Sequence, residues 1–192
     1  MSLFRLLNFN HESAYVSPGT ADYTDGANSV SFDAESGKIV YRHNNPGGLH
    51  LSRFMGYDAD NYTFFEKLRA ASAFANALSR ELTGGNDSSL FLKDIFFDED
   101  ESELNIIFAY YYRGIEIENG AVIIKINGDV VSEAVINPLR LREHGLLKNI
   151  DPMLLLRETD RRVSGRITVN RLELVYRDNT GEKEAKPVWV VR

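Results

Sequence analysis

The chain has no cysteine, which removes disulfide staples, thiolate nucleophiles, iron–sulfur clusters and cysteine-based zinc sites at once. That absence assigns no compartment. No apolar run approaches the roughly 20 residues a bilayer span needs. The opening Met1-Ser2-Leu3-Phe4-Arg5-Leu6-Leu7 is too short for a signal peptide and lacks a small-residue cleavage site. Cationic residues are in deficit, 22 Lys and Arg against 28 Asp and Glu, for a net charge of -6. A general nucleic-acid binder needs clustered Lys and Arg to neutralise phosphates, so that class is disfavoured. Also missing are G-x-S-x-G, H-E-x-x-H, a P-loop and G-x-G-x-x-G.

What is present is ordinary globular usage. Of 192 residues, 43% are hydrophobic and 26% charged, enough to bury a core and too balanced for a disordered or fibrous chain. The length corresponds to one domain, or one with a small appendage. Residues 1–25, turn-rich around Ser17-Pro18-Gly19, read as a lead-in arm. Residues 26–140 read as a β-hairpin, a helix and an antiparallel meander. Residues 141–192 read as a helical linker and a C-terminal hairpin belonging to the same domain.

The hairpin comes from Val30 and Phe32 alternating with polar residues, a turn at Glu35-Ser36-Gly37, and the returning Ile39, Val40 and Tyr41. Asn44-Asn45-Pro46-Gly47-Gly48 then breaks the pattern and reads as a plain loop; an anion cradle would need a strand-to-helix phosphate spacing that does not follow. Phe64, Leu68, Ala71, Ala75, Leu78 and Leu82 draw one apolar stripe at helical spacing. Thr63 and Glu66 can form its capping box, and Gly84-Gly85 can end it. Next, Ser89–Phe97 and Leu104–Tyr112 read as strands, followed by Ala121–Ile126 and Val130–Ile136, with Asn119-Gly120 and Asn127-Gly128 as two-residue turns. Leu139–Glu158 reads as partly helical around Asp151-Pro152. A last hairpin, bulged near Asn170-Arg171, turns at Asp178-Asn179-Thr180-Gly181. The fold class is therefore α+β: an antiparallel sheet meander with an amphipathic helix packed on one face and a C-terminal β-hairpin.

Chemistry is sparsely signalled. The acidic stretch from Asp94 to Glu103 is either a solvated hairpin tip or, less in keeping with its spacing, a Ca²⁺ loop that lacks the EF-hand glycine. His11, His43, His50 and His144 show no metal-ligand spacing. No catalytic residue, cofactor or metal is expected. In Tyr110-Tyr111-Tyr112 the first and third share one face of a strand, which leaves them either as interface anchors or as aromatic packing under the helix. Arg157, Arg161, Arg162 and Arg166 form a basic patch that either steers an acidic partner or lies on a solvated loop.

The order of these features resembles the YycH/YycI family, extracytoplasmic accessory proteins of the WalK–WalR two-component system. The residues that carry the likeness are Tyr23-Thr24-Asp25-Gly26 opening a hairpin, the amphipathic helix, and Tyr112-Arg113-Gly114-Ile115 in the meander. Asn137-Pro138-Leu139 at its exit and Leu174-Val175-Tyr176 leading to Pro187-Val188-Trp189 complete it. The likeness runs over roughly residues 20–192 and is strongest to the C-terminal portion of YycH, with YycI an alternative for the last third. The chain departs from the family at Ile115-Glu116, where a proline is usual, and carries no membrane-spanning N-terminal helix. The resemblance implies a non-enzymatic, extracytoplasmic domain, tethered through an anchor not in this chain. It would contact a sensor histidine kinase and a YycI-type sibling; the resemblance transfers no site residues, and the contact residues expected from the tyrosine face and the basic patch are Tyr110, Tyr112, Arg157, Arg161, Arg162 and Arg166. A groove that binds a small ligand or a cell-wall fragment is the alternative.

Overall fold

A computed structural model describes residues 3–10, 15–16, 21–33, 36–43, 48–83, 89–100, 102–112, 114–138, 172–178 and 185–191. In chain order its elements begin with α1 (Leu3–Leu6), β1 (Tyr15–Val16), β2 (Ala21–Thr24), β3 (Asn28–Phe32), β4 (Ile39–His43), β5 (Leu49–His50), α2 (Ser52–Met55) and α3 (Phe64–Thr83). Then come β6 (Ser89–Phe97), β7 (Glu103–Tyr112), β8 (Ile115–Asn127), β9 (Val130–Ile136), β10 (Leu172–Asp178) and β11 (Ala185–Val191). The result is a mixed architecture of few helices and one mostly antiparallel sheet of eleven strands.

Alternation sets the first pairing. Val30 lies opposite Tyr41 and Phe32 opposite Ile39, so the apolar residues of β3 and β4 share one face. Gly37, at φ +72°, supplies the left-handed residue between them. β6 pairs with β7, β7 with β8 and β8 with β9, each antiparallel. β8 is where the sheet divides. One edge carries β7 along most of its length. The other carries β9 from Val122 to Asn127 and β10 from Glu116 to Glu118. Through β9 the sheet continues to β4, β3, β2 and β1; through β10 it reaches β11. The β10–β8 pair is parallel.

Asn119-Gly120 does not turn the chain, contrary to the sequence expectation. β7 meets β8 directly, Tyr112 opposite Ile115, around Gly114 at φ +80°. Between the pairs Ala109–Ala121 and Tyr111–Glu116, β7 advances two residues while β8 advances five. Residues 117–120 thus stand against residue 110 alone, a surplus of three that bulges at the point where β8 exchanges β9 for β10. A bulge calls on the same backbone freedom as a tight turn, so Asn-Gly signals both.

The lead-in arm also needs correction. Leu6, Leu7 and Phe9 are buried in the main core, and β2 pairs with β3 along its whole length. Hydrophobic residues in a nominally polar segment account for this, because the sheet leaves room for them.

α3 covers one face of the sheet. Ala70, Ala71, Phe74, Ala75 and Leu78 are fully buried and join Leu104, Ile106, Phe108, Tyr110, Val122, Ile124 and Ile126 in one core. Three alanines on the contacting stripe let the helix axis come close, and Phe74 fills the remaining depth. Phe64, which the periodicity assigns to the stripe, is instead partly exposed at its rim, because it begins the first turn, beyond the sheet's cover. No helix among the described residues is long and apolar enough to cross a membrane. The helical stretch around Asp151-Pro152, the Asn170-Arg171 bulge and residues 179–181 of the last turn lie outside the described residues.

Candidate functional site

At the start of α3 a small cleft opens, about 360 Å³, between the helix and the ends of β6, β7 and β8. Its walls include Tyr62, Phe64, Lys67, Phe97, Leu104 and Ile126. The helix start is fixed by a reciprocal cap: Thr63 N–H and its hydroxyl donate to the Glu66 carboxylate at 2.8 and 2.7 Å. The Tyr57 hydroxyl donates to the same carboxylate. That hydrogen bond from Tyr57 and the two from Thr63 hold the Glu66 carboxyl down to about 2. Tyr57 titrates correspondingly higher than a free phenol.

The floor is tied down in the same way. Gly128, at φ +57°, turns β8 into β9 with Asn127 opposite Val130. Lys67 Nζ donates to the Gly128 carbonyl at 2.6 Å and lies 3.4 Å from Asp129 Oδ1. The same Asp129 oxygen accepts the Tyr62 N–H at 3.2 Å. Lys67 is thus held by the turn, and apart from Ser102 the cleft walls are mainly ring faces and aliphatic groups. Of the exposed rings in this stretch, Phe64 lines the cleft, while Phe65, 77% exposed, and Tyr57 each contact one of its wall residues. Phe64 and Phe65 pack edge to face at 5.6 Å, and Tyr57 lies 5.9 Å from Tyr62. Exposed rings in a cluster of this kind mark contact surfaces.

The residues expected to make partner contacts fare differently. Tyr110 is fully buried, which overturns its assignment as a surface anchor. It faces α3 with Leu104, Ile106 and Phe108, burial pushes its phenol upward, and Ser79 eases that shift. Tyr112 is half-buried against Tyr176, rings 6.1 Å apart in a T-shape, so the two tyrosines do not form one exposed face. Arg157, Arg161, Arg162 and Arg166 lie outside the described residues.

The other candidates resolve into structure. Asp98 Oδ1 accepts the Glu103 N–H at 2.9 Å and Oδ2 accepts the Ser102 hydroxyl at 3.0 Å, so the acidic tip closes its own turn. The backbone bond from Glu103 lowers the Asp98 carboxyl. Among the described residues no three His, Asp or Glu side chains converge as a metal site. His43 Nδ1 lies 2.8 Å from Asn28 Oδ1, which also accepts the Tyr41 hydroxyl at 2.8 Å. Gly48 passes so close that a Cβ there would sit 2.8 Å from the His43 ring, which gives that glycine a packing reason.

Sequence reasoning missed Tyr57, Phe65, Phe91, Phe96 and Phe97. Two doublets, Phe64-Phe65 and Phe96-Phe97, held the signal. Adjacent residues on a strand take opposite faces, and on a helix diverge by about 100°, so a doublet forces one ring outward unless both sides are covered.

The chain matches no protein-family model, and no curated protein is significantly similar to it.

Proposed function

We propose that the chain is a non-enzymatic contact module whose partner is the extracytoplasmic domain of a WalK-type sensor histidine kinase, with a YycI-type sibling as a second partner. The partner's identity comes from the resemblance to the YycH/YycI family. The observation that carries the contact role is the exposure of Tyr57, Phe64 and Phe65 beside the capped start of α3. Rigid aromatic side chains contribute contact area at small entropic cost. Regulation follows if the module binds one signalling state of the kinase more tightly than the other, since only differential affinity shifts the balance. In this reading the domain works on the outer side of the cell membrane, held there by an anchor outside the chain.

The test is a binding titration of the chain against the kinase domain and the sibling protein. Saturable binding that is lost in Phe65→Ser, with melting temperature unchanged, supports the assignment. Absence of binding to both removes it.

The cleft favours a second reading, a small apolar ligand or wall fragment seated between Phe64 and Phe97. Its volume falls within the ordinary range for ligand sites of ~300–1,000 Å³. A bound ligand would raise the melting temperature with concentration, and a flat response across a panel of wall fragments rejects this reading.

A further inference from the structure

Among the described residues β6 pairs with β7 alone, which leaves its outer edge with unpaired backbone donors and acceptors. Sheet edges are usually blunted by charge, proline or shortness. β6 is nine residues long, has no proline, and holds Phe91, Leu92, Phe96 and Phe97 in exposed positions. Its two charges, Lys93 and Asp94, sit at the centre, and a bulge falls there: Leu92 pairs with Phe108 but Asp94 pairs with Ile107.

That bulge decides what the edge can accept. In an antiparallel ladder opposing residues share a face, so in a regular strand a two-fold partner pairs residues an even number apart. Regular spacing would then set Lys93 against Lys93 or Asp94 against Asp94 of a second copy. The extra residue changes the phase. Leu90, Leu92, Ile95 and Phe97 lie opposite Tyr110, Phe108, Ile106 and Leu104 on the α3 side, while Phe91 and Phe96 lie opposite Ala109 and Asn105 on the other. Residues an odd number apart across Lys93 therefore share a face.

From this we infer that β6 is the interface of a two-fold homodimer, pairing antiparallel with its own copy about a point between Lys93 and Asp94. In this register Lys93 of each copy stands against Asp94 of the other. Phe91 meets Phe96 on one face, and Leu92 meets Ile95 and Leu90 meets Phe97 on the α3 face. Every pair is matched in face and in chemistry. The contact is isologous, so it closes as a dimer and leaves no growing end. Lys93 also binds Glu116 within its own chain, and a lysine ammonium has three donors to share. This inference does not rest on the kinase reading, which concerns the helix start.

Sedimentation velocity over a concentration series tests it, on the chain and three variants. Lys93→Asp places Asp against Asp twice, and Asp94→Lys places Lys against Lys twice. Each is expected to weaken the dimer by roughly 10-fold. The double variant Lys93→Asp/Asp94→Lys restores opposite charges and is expected to recover the affinity, which a folding defect could not produce. Far-ultraviolet circular dichroism confirms that each variant is folded. A chain that stays monomeric at every concentration, its edge left to a strand of some other protein, overturns the inference. So does a dimer indifferent to the single reversals, or one that the double variant fails to rescue.

Discussion

β6 and β7 are neighbours of similar composition with opposite fates. On β7, Ile106, Phe108 and Tyr110 lie against α3 with almost no exposure; on β6, Phe91 and Phe97 are 55% and 53% exposed. Both strands are apolar on both faces, so hydrophobicity does not separate them. Position does: among the described residues β7 has a strand on each side, while β6 has a strand on one side alone. Apolar area removed from water stabilises at roughly 25 cal/mol per Å². The part of a side chain left in water withholds that contribution from folding and keeps it for association.

The sharpest way to break this contrast is Phe74→Ala. Phe74 is fully buried between α3 and the sheet and stacks on Phe54 at 4.8 Å. Its truncation is expected to cost ~3–5 kcal/mol in denaturant unfolding. A loss as small as a surface change brings would mean that α3 is not packed as described.

Thr63→Ala comes next. It removes the hydroxyl that both donates to and caps against Glu66, and a loss of about 1 kcal/mol is expected. An unchanged midpoint would show that the helix start holds without its cap, and the rigidity of the ring cluster beside it would need another source.

The polar network beneath β3 and β4 gives a pH dependence that the β6 edge should not. Burial lowers the His43 pKa below its ordinary 6.5, against the pull of Asp25. A depressed value favours the neutral ring in the folded state, so its contribution is complete above 6.5 and is lost as pH falls through the lowered value. Asp25 behaves likewise at lower pH. Burial would raise its carboxyl, but bonds from Asn10, Asn28 and Ala27 outweigh it and bring it below 3.8. Melting temperature is therefore expected to fall in two stages on acidification, and His43→Gln should remove the first. A flat profile between neutral pH and pH 5 in the parent chain would contradict the burial of that ring.

The smallest effect belongs to Phe91→Ser. Phe91 keeps one edge-to-face partner, Tyr111 at 5.2 Å, so unfolding free energy is expected to fall by less than ~1 kcal/mol while self-association weakens. A large destabilisation would make β6 part of the core and erase the distinction between the strands.

How much of this could be read beforehand follows from how local each feature is. Thr63 with Glu66, the alanine-lined stripe of α3 and the β3–β4 register all depend on residues within a few positions of one another, and the sequence shows them directly. The pairing of Glu116–Glu118 with Val175–Arg177 joins segments far apart in sequence, and such pairings leave no periodic trace. Asn119-Gly120 misled because bulges and tight turns demand the same backbone angles. Tyr110 stayed open between anchor and core because alternation states which residues share a face without stating which face is covered. Leu6, Leu7 and Phe9 were hidden in a turn-rich stretch where too few apolar residues fall in sequence to set a period.

The most direct measurement of the contact account is amide hydrogen exchange on the chain with and without the kinase's extracytoplasmic domain. The expected result is slowed exchange around residues 57–67, where the exposed rings flank the capped start of α3, with the core strands β7 and β8 unchanged. Exchange that does not change anywhere, or that slows only far from the ring cluster, would contradict the account.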